Sequence, residues 1–166
     1  HDTMDVWYAH QMIVTIFVTH LPAWYTGRMY DDRGWTFFER SSAELIKPRK
    51  AYAVEAGKQI SEGFWLWEMA IDSSFEDAAK GRRPPLAPAA FAEGLRLKTF
   101  TNDADTEMVV ELFTKTATSV LGATTVIKLS GVPMREGDGA GMAQALALCV
   151  SIEELTWNGT PLPGAE

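Results

Sequence analysis

The longest run of apolar side chains is MIVTIFVT, residues 12–19, in which most residues are β-branched or aromatic. A short continuous run of this kind predicts a β-strand that is buried on both faces, as in a parallel sheet. Leu21-Pro22 ends the run, and a loop rich in Tyr, Gly and Asp follows. The first predicted element is therefore a strand of a parallel sheet.

A helical spacing begins at about Arg33. Residues that would share one helix face recur at intervals of three and four, namely Trp35, Phe38, Ser42, Leu45 and Ile46. Asp31 and Asp32 lie at the predicted start, where the helix dipole favours negative charge. Lys47-Pro48 ends the helix. A strand followed by a helix indicates an α/β unit.

The middle of the chain is less regular. Residues 49–80 hold many aromatic side chains without a clean period, so we predict a mixed, partly helical stretch. The segment GRRPPLAP, residues 81–88, is a break, because its three prolines block regular hydrogen bonding. A helix resumes at Pro88, with Phe91 and Leu95 on one face.

The segment TFTNDADTEMVVELFTKTATSVL, residues 99–121, predicts a further helix. Asn102 or Asp103 is the expected N-cap. The apolar stripe consists of Met108, Val109, Leu112 and Phe113. A calcium loop is the alternative, but an EF-hand needs glycine at its sixth position and glutamate at its twelfth. Counted from Asp103, these positions hold Met108 and Thr114, so helix capping is the better interpretation.

The C-terminal part contains an internal repeat. Residues 127–134 read IKLSGVPM and residues 155–162 read LTWNGTPL, and every matched pair is 28 residues apart. Between them, GDGAGMAQALALC has a helical pattern. A strand, a turn and a helix that recur within 20–29 residues are typical of leucine-rich repeats. We expect parallel, adjacent strands at 125–130 and 154–158, with Leu129 and Trp157 in one core.

The repeat departs from the usual leucine-rich pattern at one position, and it overlaps a second possible motif. Val132 and Thr160 stand where such repeats commonly carry asparagine, which suggests atypical or capping units. GDGAG also resembles a phosphate-cradling loop, but the third glycine of GxGxxG would fall at Met142. The repeat accounts for both halves of the segment, whereas the nucleotide loop accounts for one.

The net charge, the length of the apolar runs and the positions of cysteine and histidine argue against several classes of function. A formal net charge of −7 argues against sequence-independent nucleic-acid binding, which needs a basic surface. The longest apolar run is far shorter than the roughly 20 residues that span a bilayer, so no membrane insertion is expected.

The single cysteine, Cys149, fits a core position and a cytoplasmic or other reducing compartment. His10 and His20 are too far apart for a zinc cluster, so no metal site is predicted. Both ends look cut, which suggests a piece or a processed form of a longer protein.

The segment RGWTFFE, residues 33–39, carries a family resemblance. It follows a buried strand and a loop, and it resembles the fourth strand and following helix of Toll/interleukin-receptor (TIR)-like domains, where the pattern is S-x-W-C-x-x-E-L. Thr36 replaces the cysteine and Arg40 the leucine. Together with the trailing repeats, the chain from about residue 5 to 162 is similar to large multidomain proteins of unicellular algae.

The resemblance implies candidate site residues. In the enzymatic TIR proteins, the glutamate matching Glu39 serves in cleavage of the nicotinamide–ribose bond of NAD. Trp35 would then flank a base and Arg33 would contact a phosphate. The structural alternative is that Trp35 anchors the helix while Glu39 pairs with Arg33, Arg40 or a backbone amide.

The expected fold is α/β: a partial TIR-like parallel-sheet unit, a helical linker, and two 28-residue leucine-rich-repeat-type units. The corresponding boundaries are 1–80, 81–122 and 123–166. The expected function is an intracellular protein-interaction, signalling or scaffold module that binds other proteins and needs no cofactor. The alternatives are a TIR-type NAD glycohydrolase, with NAD as its substrate, and a structural subunit of a larger complex. Trp65 and Trp67 fit either a core or a partner-binding surface.

Overall fold

The structure is a computed structural model that describes residues 4–19, 21, 23–47, 51–54, 82–130, 132, 134–135 and 137–158. In this part the elements are α1 (Met4–Ala9), β1 (Thr15–Val18), α2 (Gly34–Ala43), β2 (Ala51–Val54), α3 (Pro88–Leu95), α4 (Asp105–Ala123), β3 (Val126–Lys128), α5 (Asp138–Leu146) and β4 (Glu154–Thr156). A 3-10 turn, Tyr30–Asp32, leads into α2. The predicted mixed α/β class is confirmed.

Strands β1 and β2 pair in parallel, with Thr15 opposite Ala51, and α2 lies between them in sequence. The predicted parallel pairing of the first strand is therefore correct. Its predicted burial on both faces is wrong, because Phe17 is buried while Ile16 is 42% exposed. Successive side chains of a strand point to opposite faces, so β1 has one covered face and one open face.

Helices α3 and α4 pack on each other through aromatic rings. Phe91 and Phe113 are fully buried and stack with their ring centroids 3.8 Å apart. Pro88 begins α3 as predicted, because its missing N–H is not needed in the first turn. Leu95 is buried on the same face as Phe91, also as predicted.

The predicted N-cap of α4 is wrong. The helix begins at Asp105 with Ala104 as its N-cap, and no side chain caps it. The Asn102 side chain instead accepts a hydrogen bond from the Ala104 backbone N–H at 3.3 Å and donates one to the Asp105 carboxylate at 3.1 Å. Such local side-chain bonds favour a turn over a helix start, which delays the helix. Of the predicted stripe, Val109 and Phe113 are buried, whereas Met108 is exposed.

Strands β3 and β4 are parallel and adjacent, with Ile127 opposite Leu155, so the register reproduces the 28-residue interval. This prediction is confirmed. Leu129 is buried, and Trp157 packs on the same core cluster from a partly buried position. The two units are not equivalent, since Ile127 is fully buried while Leu155 is 44% exposed.

One hydrophobic core cluster joins most of these elements. Its buried members include Ala9, Phe38, Phe91, Phe113, Leu121, Ile127 and Cys149. These buried residues come from all three predicted domains, 1–80, 81–122 and 123–166. The division of the chain into these domains stays a prediction. The predictions for most of 49–80, with Trp65 and Trp67, and for His20 and residues 159–162 lie outside the described residues.

Candidate functional site

The start of α2 is held by the segment that leads into α4. The Thr99 N–H donates to the Asp32 carbonyl at 2.9 Å, and the Gly34 N–H donates to the Thr99 carbonyl at 3.0 Å. A Cβ at Gly34 would lie only 2.0 Å from the Phe100 ring. Glycine is therefore favoured here, because any side chain would displace that ring.

Trp35 lies in the first turn of α2 and joins two helices. Its indole Nε1–H donates to the Asp105 carboxylate of α4 at 3.0 Å. Its ring meets Phe38 and Phe100 edge-on, at centroid distances of 6.0 and 6.4 Å. Buried indoles usually find a hydrogen-bond acceptor, and Asp105 is the acceptor here. Trp35 thus anchors α2 to α4.

Arg33 precedes α2 and faces the loop before it. One terminal guanidinium nitrogen, Nη2, donates to the Tyr25 hydroxyl at 2.7 Å and to the Arg28 carbonyl at 2.8 Å. Arg33 and Trp35 line the same cavity, of about 570 Å³, together with Arg28 and Phe100. The structure therefore brings two of the three predicted site residues together.

Glu39 lies one turn further along α2 and is not among the residues that line this cavity. Its Oε1 accepts a hydrogen bond from the Tyr8 hydroxyl of α1 at 2.9 Å. The expected pairing with Arg33, Arg40 or a backbone amide is therefore wrong. Arg33 bonds Tyr25 and Arg28, and Arg40 pairs with Glu44 of its own helix at 3.0 Å.

The surroundings of Glu39 also act on two tyrosines. Burial, followed by the hydrogen bond to Glu39 and its negative charge, raises the pKa of Tyr8 to about 12. Burial and then the charge of Glu39 also raise the pKa of Tyr30. Both effects disfavour a tyrosinate beside a carboxylate. Glu39 is thus a part-buried carboxylate that is held next to two neutral phenols.

A second feature, absent from the sequence predictions, is a set of exposed apolar side chains near the N-terminus. We call it the N-terminal apolar surface, and it consists of Val6, Trp7, Met12, Val14 and Ile16. Trp7 is 64% exposed and Met12 is 74% exposed. Val6 and Met12 line one groove of about 380 Å³ with Ile46 and Val120. The groove lies between the end of α1 and the C-terminal turn of α4.

Comparison with known proteins gives no relative: no family model, curated protein or solved structure matches the chain. None of the helices in the described ranges has the length and apolar character needed to cross a membrane. Within the same ranges, no group of three or more His, Cys, Asp or Glu side chains is arranged to hold a metal ion.

Proposed function

We propose that this chain is a protein-interaction module that binds a second protein through its N-terminal apolar surface. The observation that carries the proposal is that the exposed Val6 and Met12 line an apolar groove, while Trp7, the neighbour of Val6 in α1, is also exposed. Soluble proteins rarely leave several large apolar side chains exposed together unless they bind something. Tryptophan is also enriched among the residues that dominate binding energy, and methionine adapts to varied partners.

The shape of the groove suggests the kind of partner. Its walls are Val6 and Ala9 of α1 on one side and Val120 and Ala123 of α4 on the other. An apolar groove between two helices suits the apolar face of a third helix. The proposed occupant is therefore an amphipathic helix of a partner protein.

The proposal includes two specific fold assignments, a TIR-like unit and two leucine-rich-repeat-type units. Parallel β1 and β2 with α2 between them form the βαβ arrangement that a TIR-like unit would use. The 28-residue register of β3 and β4, with α5 between them, supports two leucine-rich-repeat-type units. Stacked repeats form extended binding surfaces, which favours a scaffold role for this part of the chain.

The proposal is tested by site-specific photocrosslinking in an extract of the source cells. A benzophenone amino acid replaces Trp7 or Met12 and, as a matched control, Leu97, which is also exposed but lies outside the surface. We expect the first two positions to label the same protein and Leu97 not to label it. The purified partner should then bind Met12→Asp about tenfold more weakly, while Leu97→Asp leaves its affinity unchanged. Equal weakening by both variants would contradict the proposal.

The NAD glycohydrolase alternative has one favourable observation, since Arg33 and Trp35 share a cavity. The Glu39 carboxylate, however, is bonded to Tyr8 and does not line that cavity. We expect no release of nicotinamide when the chain is incubated with NAD. Release by the wild type that is lost in Glu39→Gln would favour the alternative, because glutamine keeps the size but removes the charge that stabilises a cationic transition state.

A further inference from the structure

The groove of the N-terminal apolar surface continues into a second cavity. This cavity, of about 210 Å³, is lined by Gln11, Ile46, Val126 and Lys128. Gln11 and Ile46 also line the groove, so the two cavities adjoin along one face of the molecule. We call the second cavity the groove extension. It carries the binding surface from α1 and α4 onto β3.

Lys128 gives the groove extension a positive charge. Ile127 is buried in the core, and successive side chains of a strand point to opposite faces, so Val126 and Lys128 share the outer face of β3. The Lys128 side chain is exposed. Its backbone carbonyl accepts a hydrogen bond at 2.9 Å from Arg82, which is itself buried. The strand position that carries this ammonium group is therefore fixed by the interior of the protein.

The Lys128 ammonium group has no partner within the part of the chain that the structure describes. No described residue forms an ion pair or a hydrogen bond with it. Glu154 lies opposite Val126 in the paired strand, but it does not line the groove extension, and its carboxylate accepts a hydrogen bond from the Thr156 hydroxyl at 2.9 Å. An ammonium group has three donors and no acceptor. Lys128 is therefore available to a carboxylate of a bound molecule.

The groove and its extension also lack negative charge. The chain has 22 acidic residues and a net charge of −7, yet no described residue that lines either cavity is acidic. The polar side chains of the lining are those of His10, Gln11, Thr124 and Lys128. A surface of this composition is complementary to a negatively charged partner, because complementary charge steers the correct partner and disfavours the wrong one.

The end of the groove at α4 has the opposite polarity. Val120 and Ala123, in the last turn of α4, line the groove there. The last carbonyls of a helix have no partner within the helix and carry a partial negative charge. A carboxylate is therefore favoured at the Lys128 end and disfavoured at the α4 end, which gives the groove a direction.

We propose that the groove binds an acidic amphipathic helix of a partner protein, with its apolar face on Val6, Met12 and Ile46 and a carboxylate at one end paired with Lys128. The inference rests on the proposed function, since it names the chemistry of the partner that binds the same surface. An exposed ion pair adds little affinity, whereas a like charge at the same place is unfavourable. Lys128 thus acts mainly on which helix is selected.

The test uses three helical peptides of about 16 residues, or about 24 Å, titrated into the whole chain and followed by amide NMR shifts. They share a leucine face and a hydrocarbon staple on the opposite face. They differ only at one end, which carries two glutamates, two glutamines or two lysines. We expect the glutamate peptide to bind about fivefold more tightly than the lysine peptide at low salt, and the difference to shrink in about 0.5 M salt.

Lys128→Glu reverses the charge of the groove extension and should reverse this preference. A loss of folding does not produce a reversal, because it weakens the binding of all three peptides. Lys115→Glu is the matched control: it makes the same change at an exposed lysine of α4 that lines neither cavity, and it should leave the preference within about twofold of the wild type. Met12→Gln removes apolar contact without adding charge, so it should weaken all three peptides alike.

The failure of this inference can be distinguished from the failure of the proposed function. If Met12→Gln weakens binding but the glutamate and lysine peptides bind alike, or if Lys115→Glu alters the preference as much as Lys128→Glu, the acidic partner is wrong and the helix groove stands. If no peptide binds, or if Met12→Gln has no effect, the helix groove is wrong and both proposals fall. A dimer of the chain that Met12→Gln dissociates would assign the groove to a second copy and also overturn both.

Discussion

The paired strands β3 and β4 offer a prediction with an internal control. Ile127 and Leu155 are opposite each other in the register and occupy the same place in the 28-residue repeat. Replacing either with alanine removes the same number of carbon atoms. Their surroundings differ, however, because Ile127 is fully buried in the main core cluster and Leu155 is 44% exposed.

The expected magnitudes follow from this difference in burial. Removing three buried carbons costs about 2.4 kcal/mol in transfer free energy at about 0.8 kcal/mol each. The cavity left behind adds to this, so Ile127→Ala should lower the free energy of unfolding by about 2–5 kcal/mol. Leu155 is only about half buried, so its truncation loses about half of that transfer free energy, and no enclosed cavity forms. Leu155→Ala should therefore cost about 1 kcal/mol.

Urea denaturation, followed by circular dichroism and tryptophan fluorescence, measures both values. The dependence of the free energy on urea should keep its wild-type slope, so that the change appears in the midpoint alone. Because domains are stable by only about 5–15 kcal/mol, the Ile127→Ala midpoint should fall clearly. Equal costs for the two variants, or a larger cost at Leu155, would refute the inference that β3 is the buried strand of the pair.

Two further predictions concern the site around α2. Gly34→Ala should destabilise the chain by about 1–3 kcal/mol in thermal unfolding, because the new methyl group overlaps the Phe100 ring. Gly139→Ala is the control: a Cβ there meets nothing within 4 Å, so the substitution should be neutral or stabilising. Tyr8→Phe removes the hydrogen bond to Glu39 and should cost about 0.5–3 kcal/mol in urea denaturation. Since the pKa of Tyr8 is raised to about 12 in the folded chain, the unfolded chain loses this proton first, and stability should fall from pH 10 to pH 12. Tyr8→Phe should reduce that fall, and an unchanged pH dependence would contradict the assignment.

The parts of the fold that were predictable depend on patterns that can be read directly in the sequence. Ile127 and Leu129 recur as Leu155 and Trp157 after 28 residues, and the register of the strands places Ile127 opposite Leu155, so the sequence interval and the spatial register coincide. Pro88 similarly marks the start of α3, because proline suits a first helical turn. In both cases the deciding feature is visible in the sequence itself, as a repeat at a fixed interval or as a proline at a helix start.

One incorrect prediction involves a partner that is distant in sequence, and another reflects local hydrogen bonds. Glu39 bonds Tyr8, 31 residues away. The start of α4, by contrast, is delayed by local hydrogen bonds of the Asn102 side chain with Ala104 and Asp105. A single sequence contains no spacing rule that connects residues as distant as Glu39 and Tyr8. The exposure of Ile16 likewise depends on what covers the strand and not on the apolar composition of the strand.

The hydrogen bond from Arg82 to Lys128 has a consequence for how the β3–β4 sheet can grow. The Glu154 N–H donates to the Thr125 carbonyl, and the Leu129 N–H donates to the Thr156 carbonyl. The backbone groups of odd-numbered residues in and next to β3 therefore face β4. Those of even-numbered residues, including the Lys128 carbonyl, face the opposite edge. Arg82 occupies that carbonyl at 2.9 Å. An unprotected strand edge is a template for pairing with another chain, and here a buried cation blocks it on the β3 side. A further strand on that side would have to displace the Arg82 guanidinium from the Lys128 carbonyl, so this edge of β3 is protected against pairing with another chain.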